Sequence, residues 1–281
     1  MHRSILRKAR LDGVCWHLFQ RFTTEFTMNI EDKVIAITGA GQGLGRATAT
    51  YLAAKGAKLA LLDMDQTKLQ ETADLCREMG GEARFYGANV ADEADVETAF
   101  AQLVEDWGTL HGLVNNAGIT RDALLLKVRD GKVVKRMSLQ QWQAVINVNL
   151  TGVFLCGREA ATKMVELGVE EGVIINIASI SKAGNIGQSN YSAAKAGVES
   201  MSVAWAKELA RYGIRCAAIA PGFMETEMVL QMKPEALHML TNQIPLKRMG
   251  QPQHIAQTIA FILENDYISG RTIEVDGALR L

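Results

Sequence analysis

From Lys33 onward, short runs of aliphatic residues alternate with longer amphipathic stretches. Lys33–Thr38 is a β-branched apolar run that stops at a glycine-rich segment, Gly39-Ala40-Gly41-Gln42-Gly43-Leu44-Gly45. An alanine-rich helical stretch follows to about Lys55, with Gly56 placed as its C-cap. The alternation then repeats as strand Lys58–Leu62, helix Gln66–Met79, strand Glu82–Gly87, helix Asp92–Trp107 and strand Gly112–Asn115. A long helix over Leu139–Leu167 leads to the strand Gly172–Ala178, and a helix that holds Tyr191 runs to about Arg211. Strand Arg215–Ala220, helix Gln253–Glu264 and strand Thr272–Val275 close the pattern. Strands that are apolar at nearly every position are buried on both faces, so helices must cover both sides of their sheet. Seven such strands, with no linker or internal repeat between them, predict one doubly wound α/β domain built on a parallel sheet.

Three segments fall outside this rhythm. Lys127–Arg136 places Asp130-Gly131 between alternating apolar and basic residues, which predicts a short β-hairpin carrying five basic side chains and one acid. Glu225–Leu246 is rich in methionine (Met228, Met232, Met239), a side chain that adapts to varied apolar shapes, and reads as a loop or helix pair that orders on binding. Residues 1–27 are basic and acid-poor, with Arg3, Arg7, Lys8, Arg10 and Arg21 against Asp12 and Glu25. They fit an organellar targeting peptide, a tail, or an upstream start to a domain that begins at Met28; the scarcity of serine and of a cleavage signature favours the last two.

Composition narrows the function class. The 281 residues are 48% hydrophobic and 22% charged, as in a folded protein with a large core, and the net charge of −1 argues against a nucleic-acid binder. No apolar run reaches membrane-spanning length. Cys15, Cys76, Cys156 and Cys216 are scattered and the histidines lack ligand spacing, so neither a disulfide frame nor a metal site is expected, and the chain reads as cytoplasmic.

Gly39, Gly43 and Gly45 lie between a strand and a helix, where close backbone approach and free N–H groups at a helix N-terminus make an anion cradle suited to a pyrophosphate. Asp63 ends the next strand about 20 residues on, where a carboxylate can accept hydrogen bonds from an adenosine ribose and repel a 2′-phosphate. No arginine or lysine adjoins it, and Gln42 fills a loop position where a basic residue would favour that phosphate, so the expected cofactor is NAD(H) rather than NADP(H). In Tyr191-Ser192-Ala193-Ala194-Lys195 a phenol and an ammonium stand one helical turn apart. A fixed cation lowers the phenol pKa from its ordinary ~10, preparing Tyr191 to exchange a proton with a carbonyl or alcohol oxygen.

Taken with Asn115-Asn116-Ala117-Gly118, Asn147-Val148-Asn149, Ser179 and Pro221-Gly222…Thr226, these motifs resemble the short-chain dehydrogenase/reductase family from Met28 to Leu281. The resemblance implies a Rossmann-like fold with Tyr191 as general acid/base. It implies that Lys195 lowers the Tyr191 pKa and binds the nicotinamide ribose, and that Ser179 (with Ser181 as rival) holds the substrate oxygen. Asn149 is implied to kink its helix and hold a water linking Lys195 to solvent. Cofactor contacts are implied for Gly39, Gln42, Gly43, Leu44, Gly45, Asp63, Asn89, Val90, Asn116, Ala117, Gly118, Tyr191, Lys195, Pro221, Gly222 and Thr226. A homotetramer formed through the fourth and fifth helices is implied as well.

Within the family, Asn115–Leu126, Pro221–Met228 and Ile244–Gly250 most resemble the 3-oxoacyl-[acyl-carrier-protein] reductases of fatty acid biosynthesis. The chain departs from that branch, which prefers NADPH and docks its acidic carrier on basic residues. Here Asp63 points to NADH, and Glu166, Glu170, Glu171 and Tyr212 fall in the docking regions. The basic 127–136 insertion is the third departure; it reads as a solvated surface excursion or as a patch that attracts an anionic substrate such as an acyl-CoA or a carrier phosphopantetheine. A dehydrogenase of a sugar, polyol or steroid alcohol is the alternative among enzymes. A cofactor-binding regulator is the alternative from another class.

Overall fold

The structure, a computed structural model, describes residues 28–231 and 233–281. The 1–27 segment and Met232 lie outside the described residues, as does the side chain of Met228. The main sheet contains β1 (Val34–Thr38), β2 (Lys58–Asp63), β3 (Glu82–Gly87), β4 (Gly112–Asn115), β7 (Gly172–Ile177), β8 (Ile214–Pro221) and β9 (Thr272–Val275). Its seven strands are all parallel, in the order β3-β2-β1-β4-β7-β8-β9. The doubly wound sheet read from the sequence is therefore the one that forms.

Every residue of β1 is buried, and the two periods of its side chains go to different cores. Ile35 and Ile37 pack with Leu59 and Leu61 against α1 (Gly43–Ala53), α2 (Gln66–Glu78) and α9 (Pro252–Glu264). Val34 and Ala36 pack with Ala60 and Leu62 against α3 (Glu93–Trp107) and α5 (Gly152–Glu166). The helices begin where local chemistry starts them: Asp65 caps α2 by accepting from Lys68 N at 3.1 Å, and Asp92 caps α3 by accepting from Asp95 N at 3.1 Å.

The helix expected over Leu139–Leu167 is interrupted. A capping box of Ser138 and Gln141 starts α4 (Leu139–Ile146), a π-turn occupies Asn147–Thr151, and α5 continues from Gly152. Gly152 sits where a Cβ would meet Val90 Cγ2 at 2.9 Å, so the close contact between the helix and the loop after β3 needs a residue without one. After β7 a short 3₁₀ turn (Ile180–Ala183) precedes α6 (Ser189–Leu209), which carries Tyr191.

The 127–136 insertion folds as the hairpin its pattern predicts, β5 (Leu126–Arg129) paired with β6 (Lys132–Arg136) in a sheet of its own. Asp130 and Gly131 turn it with φ of 49° and 73°, the positive pair that a two-residue hairpin turn requires. All of its strand residues are exposed. Glu225–Leu246 forms two short helices, α7 (Glu227–Leu230) and α8 (Pro234–Gln243).

Candidate active site

The sheet reverses its winding between β1 and β4, and ligands of such sheets settle in the crevice that opens there at the strands' carboxyl ends. A cleft of about 670 Å³ occupies that place. Gly39, Gln42, Gly43 and Leu44 reach it from the loop after β1, Asp63 from the end of β2, and Asn89 and Val90 from the loop after β3. Asn116, Ala117 and Gly118 line it beyond β4, and Thr226 closes it from beyond β8. Gly45, Pro221, Gly222, Tyr191 and Lys195 do not line it. Pro221 ends β8, and Gly222 N donates to Val275 O at 2.9 Å, fastening the segment that delivers Thr226.

The glycine loop is held rigidly from beneath. Thr38 Oγ1 accepts from Asn116 N at 3.0 Å and from Ala117 N at 3.1 Å, while Asn116 Nδ2 donates to the carbonyls of Thr38 (3.0 Å) and Gly39 (3.1 Å). A Cβ on Gly45 would collide with the Gly39 carbonyl, so this position needs glycine for proximity. Above the loop, α1 starts with no side-chain cap and no acid in its first turn. Its leading N–H groups are thus free for an anion. At the far side Asp63 is pinned, Oδ2 accepting from Gly41 N at 3.1 Å and Oδ1 from Asp65 N at 3.2 Å. A cradle for a pyrophosphate and a carboxylate for a ribose share one cleft of dinucleotide size, so these residues fit a nicotinamide dinucleotide.

Beside the cleft, Ser179 stands two residues past the end of β7 and is 9% exposed. Its Oγ accepts from Ser181 N at 3.1 Å, which leaves the hydroxyl proton free to be donated elsewhere. Tyr191 is half-buried, and Asn190 fixes the first turn of its helix. Asn190 Nδ2 donates to the carbonyls of Arg121 (3.2 Å) and Gln141 (3.0 Å), and its Oδ1 accepts from Tyr191 N at 2.8 Å. Lys195 is 3% exposed, and its Nζ donates to Ile177 O at 2.6 Å at the end of β7.

The expected lowering of the Tyr191 pKa is not what this arrangement produces. Burial raises it, the Ser179 hydroxyl pulls it the other way, and the Asp122 carboxylate raises it further. Lys195 directs its charge at Ile177 O and lies 5.6 Å from the Tyr191 ring centre, while its own burial lowers its pKa to about 8. The phenol is therefore held neutral, the form that gives a proton. Asn149 lies at the interruption of its helix. It is fully buried in the π-turn, with Oδ1 accepting from Ile119 N at 2.8 Å and Nδ2 donating to Ile119 O at 2.9 Å. Its amide fastens the loop that follows Gly118.

A family model described as "Enoyl-(Acyl carrier protein) reductase" matches residues 39–279, which span the cleft and the Tyr191 helix. The chain belongs to the short-chain dehydrogenase/reductase family. It is 39% identical over 255 residues to a 3-oxoacyl-[acyl-carrier-protein] reductase of Thermotoga maritima, covering 90% of this chain and 99% of the relative. A (3R)-3-hydroxyacyl-CoA dehydrogenase of Rattus norvegicus is 40% identical over 263 residues, covering 90% and 98%. A crystal structure described as a putative gluconate dehydrogenase from Agrobacterium tumefaciens superposes with a TM-score of 0.80 at 33% identity, covering 90% and 97%. This short-chain dehydrogenase/reductase is an NAD(P)-dependent oxidoreductase acting on CH–OH donors.

Some functional neighbours of this family site escape a linear reading. Lys68, in the first turn of α2, lines the cleft with Asp63, so a base adjoins the acid in space though not in sequence. Its Nζ donates to Gln42 Oε1 at 2.7 Å. The signal was available, since Lys68 follows its N-cap Asp65 by three positions and the first turn after β2 must face the same crevice. A buried polar ladder was also missed: Asn115 Nδ2 donates to Asn176 Oδ1 and Asn176 Nδ2 donates to Ser202 Oγ, each at 2.9 Å. It ties β4, β7 and α6 together. Asn176 and Ser202 sit singly inside apolar runs, and only the strand order pairs them with Asn115.

Proposed function

We propose that this chain reduces the ketone of a 3-oxoacyl thioester, with NAD(H) preferred over NADP(H). The observation that carries the reading is the meeting of Ser179, Tyr191 and Lys195 at the carboxyl edge of the sheet, beside a cleft floored by the uncapped start of α1. The dinucleotide, when bound through Gly39–Gly45, Asp63, Asn89, Val90 and Asn116–Gly118, supplies a hydride. The chain does the rest by positioning and proton handling. Ser179 donates a hydrogen bond to the ketone oxygen, keeping its own proton, and steadies the charge that develops there. Tyr191, kept neutral by burial, gives that oxygen its proton. Lys195, 5.6 Å from the Tyr191 ring centre, offsets the charge of the phenolate left behind and would anchor the nicotinamide ribose, and Asn149 keeps the Ile119 loop in place.

The thioester class rests on relatives named for 3-oxoacyl-carrier, (3R)-3-hydroxyacyl-CoA and acetoacetyl-CoA substrates. A coenzyme A ester suits this surface better than an acidic carrier protein. The carrier-docking regions hold Glu166, Glu170 and Glu171, whereas the hairpin beside the tyrosine loop is cationic. The hairpin root is tied to that loop by Ala123 N donating to Gly187 O at 2.9 Å. The superposition on a gluconate dehydrogenase-like structure favours a sugar-acid alcohol as the second reading. A screen of NADH and NADPH with acetoacetyl-CoA, sugars and simple ketones decides between them. Tyr191→Phe should lower turnover by ~10²–10⁴ while dinucleotide binding persists. Turnover surviving within about tenfold would remove the acid role.

A further inference from the structure

Lys68 and Gln42 form a contact that neither the pyrophosphate cradle nor the proton-transfer group requires. Gln42 is the glycine-loop position at which a basic side chain would meet a 2′-phosphate, and its amide oxygen accepts from Lys68 Nζ at 2.7 Å. The loop itself offers no cation there. Arg46 is already committed to Gly41 O, at 3.1 Å from Nε and 2.6 Å from Nη2, and to Glu71 at 2.8 Å. Lys68 thus brings a positive charge from α2 to the place that the loop leaves neutral.

The surroundings keep that charge available. The nearest acid across an ion pair is Asp65, 4.0 Å away, and the Lys68 side chain is 42% exposed. An exposed pair at that distance contributes little. Asp63 stands on the same wall, close enough that a Cβ on Gly41 would touch Asp63 Oδ2 and Lys68 Cβ, both at 3.0 Å. One rim of the cleft therefore holds an acceptor for ribose hydroxyls and a donor for an added phosphate.

We infer that Lys68 is a specificity-determining residue that lets this cleft accept a 2′-phosphorylated dinucleotide despite Asp63, so that the preference for NAD(H) is narrow. The inference rests on the dinucleotide reading above. When a 2′-phosphate enters, Lys68 exchanges the neutral Gln42 oxygen for an anionic one, a stronger, charge-assisted partner. NADH leaves the Lys68–Gln42 bond in place and uses Asp63 alone.

The test is equilibrium binding, by titration calorimetry on the full chain, of NADH, NADPH, AMP and the 2′-phosphorylated counterpart of AMP. Lys68→Ala should raise Kd for NADPH and for phosphorylated AMP by about tenfold or more, the worth of one charge-assisted contact, and leave NADH and AMP within about twofold. Lys68→Arg should retain both dinucleotides. In the unsubstituted chain the NADPH Kd should also weaken more steeply with salt than the NADH Kd. Equal changes for the two dinucleotides, or an NADPH Kd indifferent to Lys68, would overturn the inference and leave the dinucleotide reading standing. If the unsubstituted chain binds neither dinucleotide, both readings fall together.

Discussion

Replacing Lys195 with methionine should make the protein more stable and almost inactive. Burial lowers the ammonium pKa from 10.5 to about 8. At ~1.36 kcal/mol per pKa unit, the folded chain carries the charged lysine at a cost of roughly 3 kcal/mol relative to the unfolded chain. Methionine is one heavy atom shorter, removes the charge and withdraws the donor from Ile177 O, a pH-independent loss that cancels when two pH values are compared. Below about pH 8 both states hold the Lys195 proton, and above about 10.5 neither does. Between those limits the unfolded chain holds a proton that the folded chain has released, so wild-type stability rises with pH across that window. The advantage of Lys195→Met should thus be largest near neutrality and shrink by roughly 3 kcal/mol at about pH 10. Urea unfolding of both proteins at the two pH values measures this double difference, in which every other titrating group cancels. A stability difference that stays constant within about 1 kcal/mol refutes the buried-charge argument. Activity loss alone would leave it untouched.

Other expectations follow from single contacts. Gly45→Ala drives a methyl group into the Gly39 carbonyl, so dinucleotide affinity measured by calorimetry should fall at least about tenfold; unchanged affinity contradicts the cradle. Ser179→Ala should cost ~10²–10³ in kcat, as loss of one donor to a developing oxyanion does, whereas Ser181→Ala should stay within about threefold. The reverse order would exchange their roles. Neutralising the hairpin with Lys132→Gln, Lys135→Gln and Arg136→Gln should raise KM for acetoacetyl-CoA and leave KM for small neutral ketones unchanged. An equal effect on both substrates rules out electrostatic attraction by the hairpin.

The parts of this molecule that could be read from the sequence are those whose cause is local. β1 and β2 declare themselves because burial on both faces demands apolar residues at every position, and the hairpin because Asp130-Gly131 supplies the positive φ pair. The glycine loop and Asp63 are legible for the same reason, since strand, turn and strand end lie within one supersecondary unit. The interruption at Asn147–Thr151 left no mark in the apolar pattern, because a π-turn changes the hydrogen-bond step without changing which side chains are buried. Lys68 and the Asn115–Asn176–Ser202 ladder depend on which strands become neighbours, and that is decided by the whole sheet. The direction of the Tyr191 pKa was misread for a third reason. Four-residue spacing brings Lys195 near, but burial of the phenol, which spacing does not show, raises its pKa, and the carbonyl of Ile177 takes the ammonium.

The hairpin has one further property. Met137 N donates to Leu125 O at 3.1 Å, closing its neck so that the chain leaves the domain and returns to it at adjacent points. Its strands pair with each other and with no strand of the main sheet. An appendage joined this way can be lengthened, recharged or excised while the tyrosine helix and the nucleotide loop stay as they are. Substrate reach and bond chemistry are then separately heritable traits, and grafting residues 126–136 onto a relative that lacks them would transfer the first without disturbing the second.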